Sequence, residues 1–178
     1  MTLLWRELHP RILRYLRVAV GDSEAEDLTS EVWLEAARGL GRFDGDEAAF
    51  RAWVFTIARR RVIDTGRKAQ RRRTDPMSPE QVERAADDAP DDLEARLALD
   101  AALRRVARLP RDQAEVVALR VLAGLSAEQV AVIVGKSAGA VRVLQHRALR
   151  RLADELAAEG VTRQTGGAIF GVDEPLTA

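Results

Sequence analysis

Residues 125–152 constrain the fold more than any other stretch of this chain, because their pattern predicts two short helices joined by a tight turn. Ser126 and Gln129 have the spacing of a capping box, in which a hydroxyl and an amide satisfy backbone donors at the start of a helix. Gly135 can adopt a positive φ, and Ser137 can cap a second helix. The stretch therefore predicts a helix, a turn and a second helix.

The second predicted helix has one apolar face and one basic face. Its apolar residues recur at helical spacing and form a predicted buried stripe: Val141, Leu144, Ala148 and Leu152. Arg142, His146 and Arg150 point the other way. The small residue Ala131 lets the two helices cross closely, as in helix-turn-helix motifs that place their second helix in a DNA major groove.

An ordinary helical hairpin with a solvated basic face is the alternative interpretation of this stretch. Helix-turn-helix motifs usually place an apolar residue after the turn glycine, where this chain has Lys136. We expect the stem of Lys136 to lie over the core and its ammonium group to stay in water.

The composition favours helices throughout the chain. Ala, Leu, Arg and Glu are abundant, and the 178 residues contain six prolines and no run of alternating β-branched residues. No stretch approaches the roughly 20 apolar residues that span a bilayer, and charges near the N-terminus interrupt any signal-peptide pattern. We therefore expect an all-α, cytoplasmic protein with no membrane span of its own. Because cysteine is absent and His9 lies far from His146, we expect no metal site and no cofactor.

The net charge is zero, but the charges are unevenly distributed. Residues 59–73 carry eight basic side chains and one acidic one, and residues 101–152 carry ten basic and three acidic ones. Residues 74–100 carry nine acidic side chains and two basic ones. Two segments of net charge +7 therefore flank an acidic segment, which is typical of a chain that binds phosphates at two places. The acidic segment can also lie over the basic faces, so we expect the free chain to be compact.

Helical periodicity predicts three helices in the first part of the chain. The first covers residues 2–20, and the second begins near a pair with capping-box spacing, Ser23 and Glu26. The third carries Phe50 and Trp53 ahead of a run of arginines. These aromatic side chains fit a buried core better than a base-stacking site, because they share one helical stripe.

The outer face of the second helix, opposite its apolar stripe, is mostly charged. We call it the α2 outer face, where α2 is this second helix, predicted from about Ser23 to about Gly39 or Gly41. Its residues are Asp27, Glu31, Leu34, Glu35 and Arg38. From the residues alone, ordinary solvent surface is the favoured interpretation, although the face could also dock on a basic partner.

Residues 74–92 contain three prolines, no apolar period and strong negative charge, which is typical of a flexible linker. Four more helices are predicted in residues 93–159, with Pro110 separating the first two. Residues 160–178 are rich in glycine and threonine and predict a disordered tail. The expected architecture is thus two small helical domains, residues 1–73 and 93–159, joined by a flexible acidic linker.

Three runs of the sequence carry a family pattern. They are AEDLTSEVWLEAARGLGRF at residues 25–43, FRAWVFTIARRRVIDTGRKAQRR at 50–72, and LPRDQAEVVALRVLAGLSAEQVAVIVGKSAGAVRVLQHRALRRL at 109–152. In this order they resemble bacterial RNA polymerase sigma factors of the extracytoplasmic-function (ECF) type, with region 2 at residues 3–73 and region 4 at about 93–156. The resemblance implies a subunit that binds core RNA polymerase and promoter DNA, without chemistry of its own. It also implies an anti-sigma factor as a partner.

The resemblance assigns residues to three surfaces. The α2 outer face would dock on the polymerase. The loop after the second helix, together with the third helix, would bind the minus-10 element, hold a flipped base and guide the melted strand. The residues assigned to this task are Asp44, Trp53, Arg59, Arg60, Arg61, Asp64, Arg67 and Lys68.

The second helix of the helix-turn-helix would read the minus-35 element as duplex DNA. The residues assigned there are Ser137, Gly139, Arg142, Val143, His146, Arg147 and Arg150.

Three rival interpretations fit parts of the sequence. A stand-alone transcription regulator would use the helix-turn-helix without polymerase, but it leaves residues 59–73 without a role. A decoy would bind an anti-sigma factor without touching DNA, which the +7 charge of both basic segments disfavours. An enzyme is disfavoured because the sequence has no cysteine, no glycine-rich phosphate loop and no cluster of metal ligands.

Overall fold

Seven α-helices build the part of the chain that a computed structural model describes, residues 2–72 and 93–160. Their bounds are α1 Thr2–Val20, α2 Asp22–Gly39, α3 Glu47–Arg72, α4 Leu93–Arg108, α5 Arg111–Val117, α6 Ala127–Val134 and α7 Ala138–Ala158. A 3-10 turn follows α2, and a π-helical segment, Ala118–Leu122, continues α5. These ranges contain no strand, and the all-α prediction is confirmed. The predicted linker at 74–92 and the predicted tail beyond Gly160 lie outside the described residues.

The start of α2 differs from its predicted position, and α3 begins at Glu47. The prediction that Ser23 caps α2 was wrong, because Gly21 occupies the N-cap position and Ser23 lies inside the first turn. Asp22 and Glu24 in that turn place negative charge at the positive end of the helix dipole. The third helix begins before Phe50, and the backbone N–H of Ala49 donates to Asp46 Oδ1 at 2.8 Å. No helix in the described ranges is long and apolar enough to cross a membrane.

The helix-turn-helix forms as predicted. Ser126 Oγ accepts from the Gln129 backbone N–H at 3.1 Å, and Gln129 Oε1 accepts from the Ser126 N–H at 2.8 Å, so the capping box is complete. Gly135 has φ 68° and ψ 37°, the left-handed conformation that a side chain would disfavour at this sharp turn. Ser137 then caps α7, with its Oγ accepting from the Ala140 N–H at 3.1 Å.

One apolar core connects the two halves of the structure, residues 2–72 and 93–160. Helix α1 packs against α2 and α3 of the first half and also against α4, α5 and the π-helical segment of the second half. Helix α6 packs against α3. The fully buried side chains of this core come from both halves: Leu8, Ile12, Leu16, Val32, Val54, Val116, Leu119, Leu125, Val130 and Val141. The sequence did not predict this shared core, because helical periodicity identifies a buried face but not the helix that covers it.

Polar contacts also join the two halves. Arg59 Nε donates to Glu115 Oε1 at 2.7 Å, and both side chains are about three-quarters buried. Gln129 Nε2 donates to the backbone oxygen of Ala48 at 3.0 Å, so α6 covers the start of α3. The Tyr15 ring packs edge-on against Phe55, and its buried hydroxyl finds no hydrogen-bond partner among the described residues. Burial, and secondarily the Glu115 carboxylate, raises the pKa of Tyr15 above its ordinary value.

We expect Glu115→Ala to lower the free energy of unfolding by about 1–2 kcal/mol, because it leaves the Arg59 guanidinium mostly buried without its carboxylate. Asp100→Ala is the matched control. It removes the more exposed pair with Arg17, 3.7 Å long, which also joins the two halves, and should cost less than about 0.5 kcal/mol. Urea unfolding monitored by circular dichroism measures both values. Equal losses in the two variants would contradict a special role for the Arg59–Glu115 pair.

Candidate nucleic-acid interfaces

Helix α7 presents the predicted minus-35 residues to solvent. Val141 and Ala148 are buried and Leu144 and Leu152 are partly buried, so the predicted apolar stripe packs against the rest of the chain. The residues predicted to read DNA lie away from that stripe, and all of them are exposed: Ser137, Gly139, Arg142, Val143, His146, Arg147 and Arg150. An exposed basic helix face of this kind can enter a major groove without rearrangement of the helix itself.

Two basic side chains of the helix-turn-helix, Arg142 and Lys136, form ion pairs with carboxylates. Arg142 Nη2 lies 2.5 Å from Glu128 Oε1, between the start of α6 and the start of α7. Hydrogen bonds from the Glu128 backbone and the Ser126 hydroxyl, together with the Arg142 guanidinium, lower the pKa of Glu128. Lys136 Nζ lies 2.9 Å from Asp112 Oδ2, and the two side chains are 35% and 56% exposed, so the ammonium group stays at the surface beside a carboxylate.

A hydrogen bond between side chains joins α7 to the π-helical segment. Arg120 Nε donates to Gln145 Oε1 at 2.9 Å, and the same guanidinium donates to the backbone oxygen of Leu125. Gln145 is partly buried, between the exposed residues predicted to read DNA and the apolar stripe. The contact fixes the rotation of α7 about its axis relative to α5 and its π-helical extension.

In the first half, an aromatic cluster closes the space between the 3-10 turn and α3. The Phe43 ring stacks on Trp53 at 5.1 Å and meets Phe50 edge-on at 5.3 Å. Phe50 is buried and Trp53 partly buried, which favours the core role that the sequence suggested. Gly39 faces this cluster, and a Cβ atom at that position would lie 2.7 Å from the Trp53 ring. The glycine therefore permits the close approach of α2 to the indole.

Next to this cluster, a cavity of about 320 Å³ opens between α2 and α3. Its wall combines residues of both helices: Glu35, Arg38, Gly39, Trp53, Thr56, Ile57 and Arg60. Two of these residues belong to the α2 outer face, and two were predicted to bind the minus-10 element. The cavity thus lies where the two predicted surfaces meet.

The three consecutive arginines of α3 are all paired with carboxylates. Arg59 pairs with Glu115 of the second half, as described above. Arg60 pairs with Glu35, and Arg61 pairs with both Glu35 and Glu31. Three of the remaining predicted minus-10 residues, Asp44, Arg67 and Lys68, are exposed, whereas Asp64 is partly buried and lies 3.9 Å from Arg67. On the α2 outer face, Asp27, Glu31, Leu34 and Arg38 are exposed, and Glu35 is partly buried.

Sequence reasoning missed the carboxylate partners of the predicted DNA-binding arginines. Glu115 and Glu128 received no role, and Glu35 was assigned only to the polymerase surface. Each acts on an arginine elsewhere in the chain, Arg59, Arg142 and Arg60 respectively. A complementary charge is visible in the sequence, but spacing reveals a partner only within one helix.

The order of the two halves defines the class of this protein. The family model of Sigma-70 region 2 matches residues 4–72, and the model of Sigma-70 region 4 matches residues 99–152. The structure therefore describes a transcription initiation factor, with region 2 in α1–α3 and region 4 in α4–α7. The match to region 2 argues against the stand-alone regulator.

Relatives narrow the assignment. The chain is 38% identical over 161 residues to the ECF RNA polymerase sigma factor SigD of Mycobacterium tuberculosis, covering 86% of this chain and 75% of SigD. It is 40% identical over 159 residues to the ECF RNA polymerase sigma factor ShbA of Streptomyces griseus, covering 84% of this chain and 83% of ShbA. The chain belongs to the ECF RNA polymerase sigma factors.

A solved structure supports the fold. The sigma factor RpoE, in complex with the anti-sigma factor NepR from Bartonella quintana, matches with a TM-score of 0.66. The match covers 91% of this chain and 98% of RpoE at 23% sequence identity. At this identity the likeness concerns the fold alone.

We expect Gly39→Ala to destabilise the chain by about 1–3 kcal/mol, because the added methyl group must displace the packed Trp53 ring. Gly41→Ala is the matched control, since a Cβ atom there meets nothing within 4 Å. Urea unfolding measures the loss, and near-ultraviolet circular dichroism reports the packing of the aromatic cluster. Unchanged stability of the Gly39 variant would show that the indole can move away without cost.

Proposed function

We propose that this chain binds core RNA polymerase and directs it to promoters by reading a minus-10 element with α3 and a minus-35 element with α7. The observation that carries the proposal is the joint presence of region 2 and region 4 on one chain, with the basic face of α7 exposed. A basic recognition helix supplies duplex readout, and a second basic helix beside an aromatic cluster suits a melted strand.

For the minus-35 element, we assign base contacts to Arg142, His146 and Arg150 and supporting contacts to Ser137, Gly139, Val143 and Arg147. Their common exposure on one side of α7 supports this assignment. Arginine binds guanine bidentately, whereas hydroxyl groups and helix N-termini near the turn suit phosphates. The Arg142–Glu128 pair is largely exposed, so DNA can displace the carboxylate at small cost.

For the minus-10 element, we assign strand contacts to α3 and to the loop before it. Arg60, Arg61, Arg67 and Lys68 would hold phosphates, Asp44 and Asp64 would contact bases or orient the cations, and Trp53 would line the base-binding side. Arg59 also belongs to this set, but Glu115 engages it in this structure. Gln129 covers the backbone of Ala48 at the same junction. Full access of DNA to this surface therefore requires separation of region 4 from region 2.

For the polymerase, we assign the α2 outer face. Exposed Leu34, 57% accessible, stands among the charged residues Asp27, Glu31 and Arg38. Such a face suits a partner that is apolar at its centre and basic at its rim. We also propose that an anti-sigma factor binds this chain in the cytoplasm. RpoE, whose fold this chain shares, was solved in complex with the anti-sigma factor NepR, and this motivates the proposal.

Run-off transcription tests the proposed function directly. Purified core polymerase is supplied with a library of promoter fragments, with and without this chain. We expect promoter-specific transcripts only in the presence of the chain, and none with the variant Leu34→Asp, which places a charge on an exposed apolar contact. Wild-type chain that binds an anti-sigma factor but yields no specific transcript would favour the decoy.

We expect Arg142→Ala and Arg150→Ala to weaken binding to promoter duplex, each by on the order of 1–3 kcal/mol, if the arginine contacts a base bidentately. Arg104→Ala, on the exposed side of α4, is the control and should change little. Titration of holoenzyme with duplexes carrying single-base changes in the minus-35 element measures the effect. A loss that is uniform over all sequences would assign the arginine to the DNA backbone instead.

A further inference from the structure

We propose that Glu35 is a positioning residue that links polymerase binding on α2 to DNA-strand binding on α3. The inference rests on the proposed function, since it concerns how two of its surfaces communicate. The family resemblance places Glu35 on the α2 outer face and places Arg60 and Arg61 among the residues assigned to the minus-10 element. In the structure, these three side chains form one ion network.

The geometry of the network centres on one carboxylate. Arg61 approaches Glu35 Oε2 through Nε at 3.0 Å and through Nη2 at 2.8 Å, while Arg60 pairs with Glu35 Oε1. Glu31, one helical turn earlier on α2, accepts from Arg61 Nη1 at 3.1 Å. Both oxygens of Glu35 are therefore engaged by arginines of the neighbouring helix.

Glu35 is the most buried member of the network. Its side chain is 21% exposed, whereas those of Glu31 and Arg60 are 50% and 62% exposed. Because Glu35 is partly desolvated, solvent screens its attraction for Arg60 and Arg61 less than it screens an ion pair in open water. While the two arginines are held by Glu35, their attraction for DNA phosphates is weaker. The two glutamates together neutralise the two arginines of the network.

A partner that binds the α2 outer face would weaken the pairing of Arg60 and Arg61 with the two glutamates. A cationic group that approaches Glu31 or Glu35 competes with Arg60 and Arg61 for the same oxygens. The released guanidinium groups then regain their attraction for the phosphates of a melted strand. Binding on one helix thus favours binding on the other, and by thermodynamic linkage DNA favours the partner equally.

The cavity between α2 and α3 extends the link beyond the charges. Glu35 and Arg60 both line it, beside Trp53. When Arg60 leaves Glu35, the wall of the cavity changes next to the indole that we assign to the base-binding side. The same event therefore affects both the phosphate contacts and the site beside the aromatic cluster.

Affinity for DNA, measured for the free chain and for holoenzyme, tests the link. The probe is a fluorescein-labelled fork of a promoter recovered in the run-off selection, titrated with wild type, Glu35→Gln and Glu7→Gln. Glutamine keeps the shape of Glu35 but removes its charge. Glu7 is the matched control, because it pairs with Arg51 of α3, outside the predicted strand contacts.

We expect free Glu35→Gln to bind the fork about 5-fold more tightly than free wild type. The ratio of holoenzyme affinity to free-chain affinity for the fork, which we call the holoenzyme advantage, should shrink by the same factor. Glu7→Gln should leave that advantage unchanged. Glu35→Asp, which keeps the charge, should restore most of the wild-type advantage. Should Glu35→Gln fold poorly by circular dichroism, Glu31→Gln tests the same network at a more exposed carboxylate and should change the advantage in the same direction.

Two outcomes separate failure of this inference from failure of the proposed function. If wild-type holoenzyme binds the fork and Glu35→Gln shows the wild-type advantage, or if free Glu35→Gln binds DNA more weakly, the link through Glu35 is wrong and the proposed function stands. If wild-type holoenzyme does not bind any promoter fork, the proposed function itself fails.

Discussion

The packing of α1 against helices of both halves is the interaction on which the rest of the structure depends. Leu8, Ile12 and Leu16 are fully buried, and they share one core with Leu119 and Leu125 of the second half. Burial of large aliphatic side chains contributes roughly 1.5–3 kcal/mol each, far more than an exposed ion pair. The apolar core therefore decides how regions 2 and 4 sit together, and the charged groups adapt to that arrangement.

That arrangement bears on the proposed function, because it pairs a carboxylate with an arginine that we propose as a DNA contact. Glu115 holds Arg59 across the junction, and α6 covers the start of α3. Near this junction, the buried Tyr15 hydroxyl has no hydrogen-bond partner among residues 2–72 and 93–160. If the chain opens on polymerase as proposed, the Arg59–Glu115 pair is broken and Arg59 becomes available to DNA.

Local features of the fold could be predicted from the sequence, and distant pairings could not. The capping box at Ser126, the left-handed turn at Gly135 and the exposed basic face of α7 depend on residues within a few positions of each other, so spacing alone predicts them. The cap at Ser23 failed because the helix begins two residues earlier, at Asp22 after the N-cap Gly21. The Arg59–Glu115 and Arg61–Glu35 pairs join residues on different helices, and their partners follow from packing that periodicity does not encode. The family resemblance supplied the predicted functional surfaces, whereas only the structure revealed that Glu35, assigned to one of them, pairs with Arg60 and Arg61, assigned to another.

The distance between regions 2 and 4 tests directly whether region 4 leaves region 2 when the chain binds polymerase and DNA. Because the chain has no cysteine, Ala19→Cys on α1 and Ala153→Cys on α7, both at exposed positions, allow specific labelling with a donor and an acceptor dye. We predict high energy transfer in the free chain, where the two regions pack together, and a marked drop when core polymerase and promoter DNA are added. Transfer that stays at the free-chain level in a complex active in transcription would contradict the account, because region 4 would then read DNA without leaving region 2.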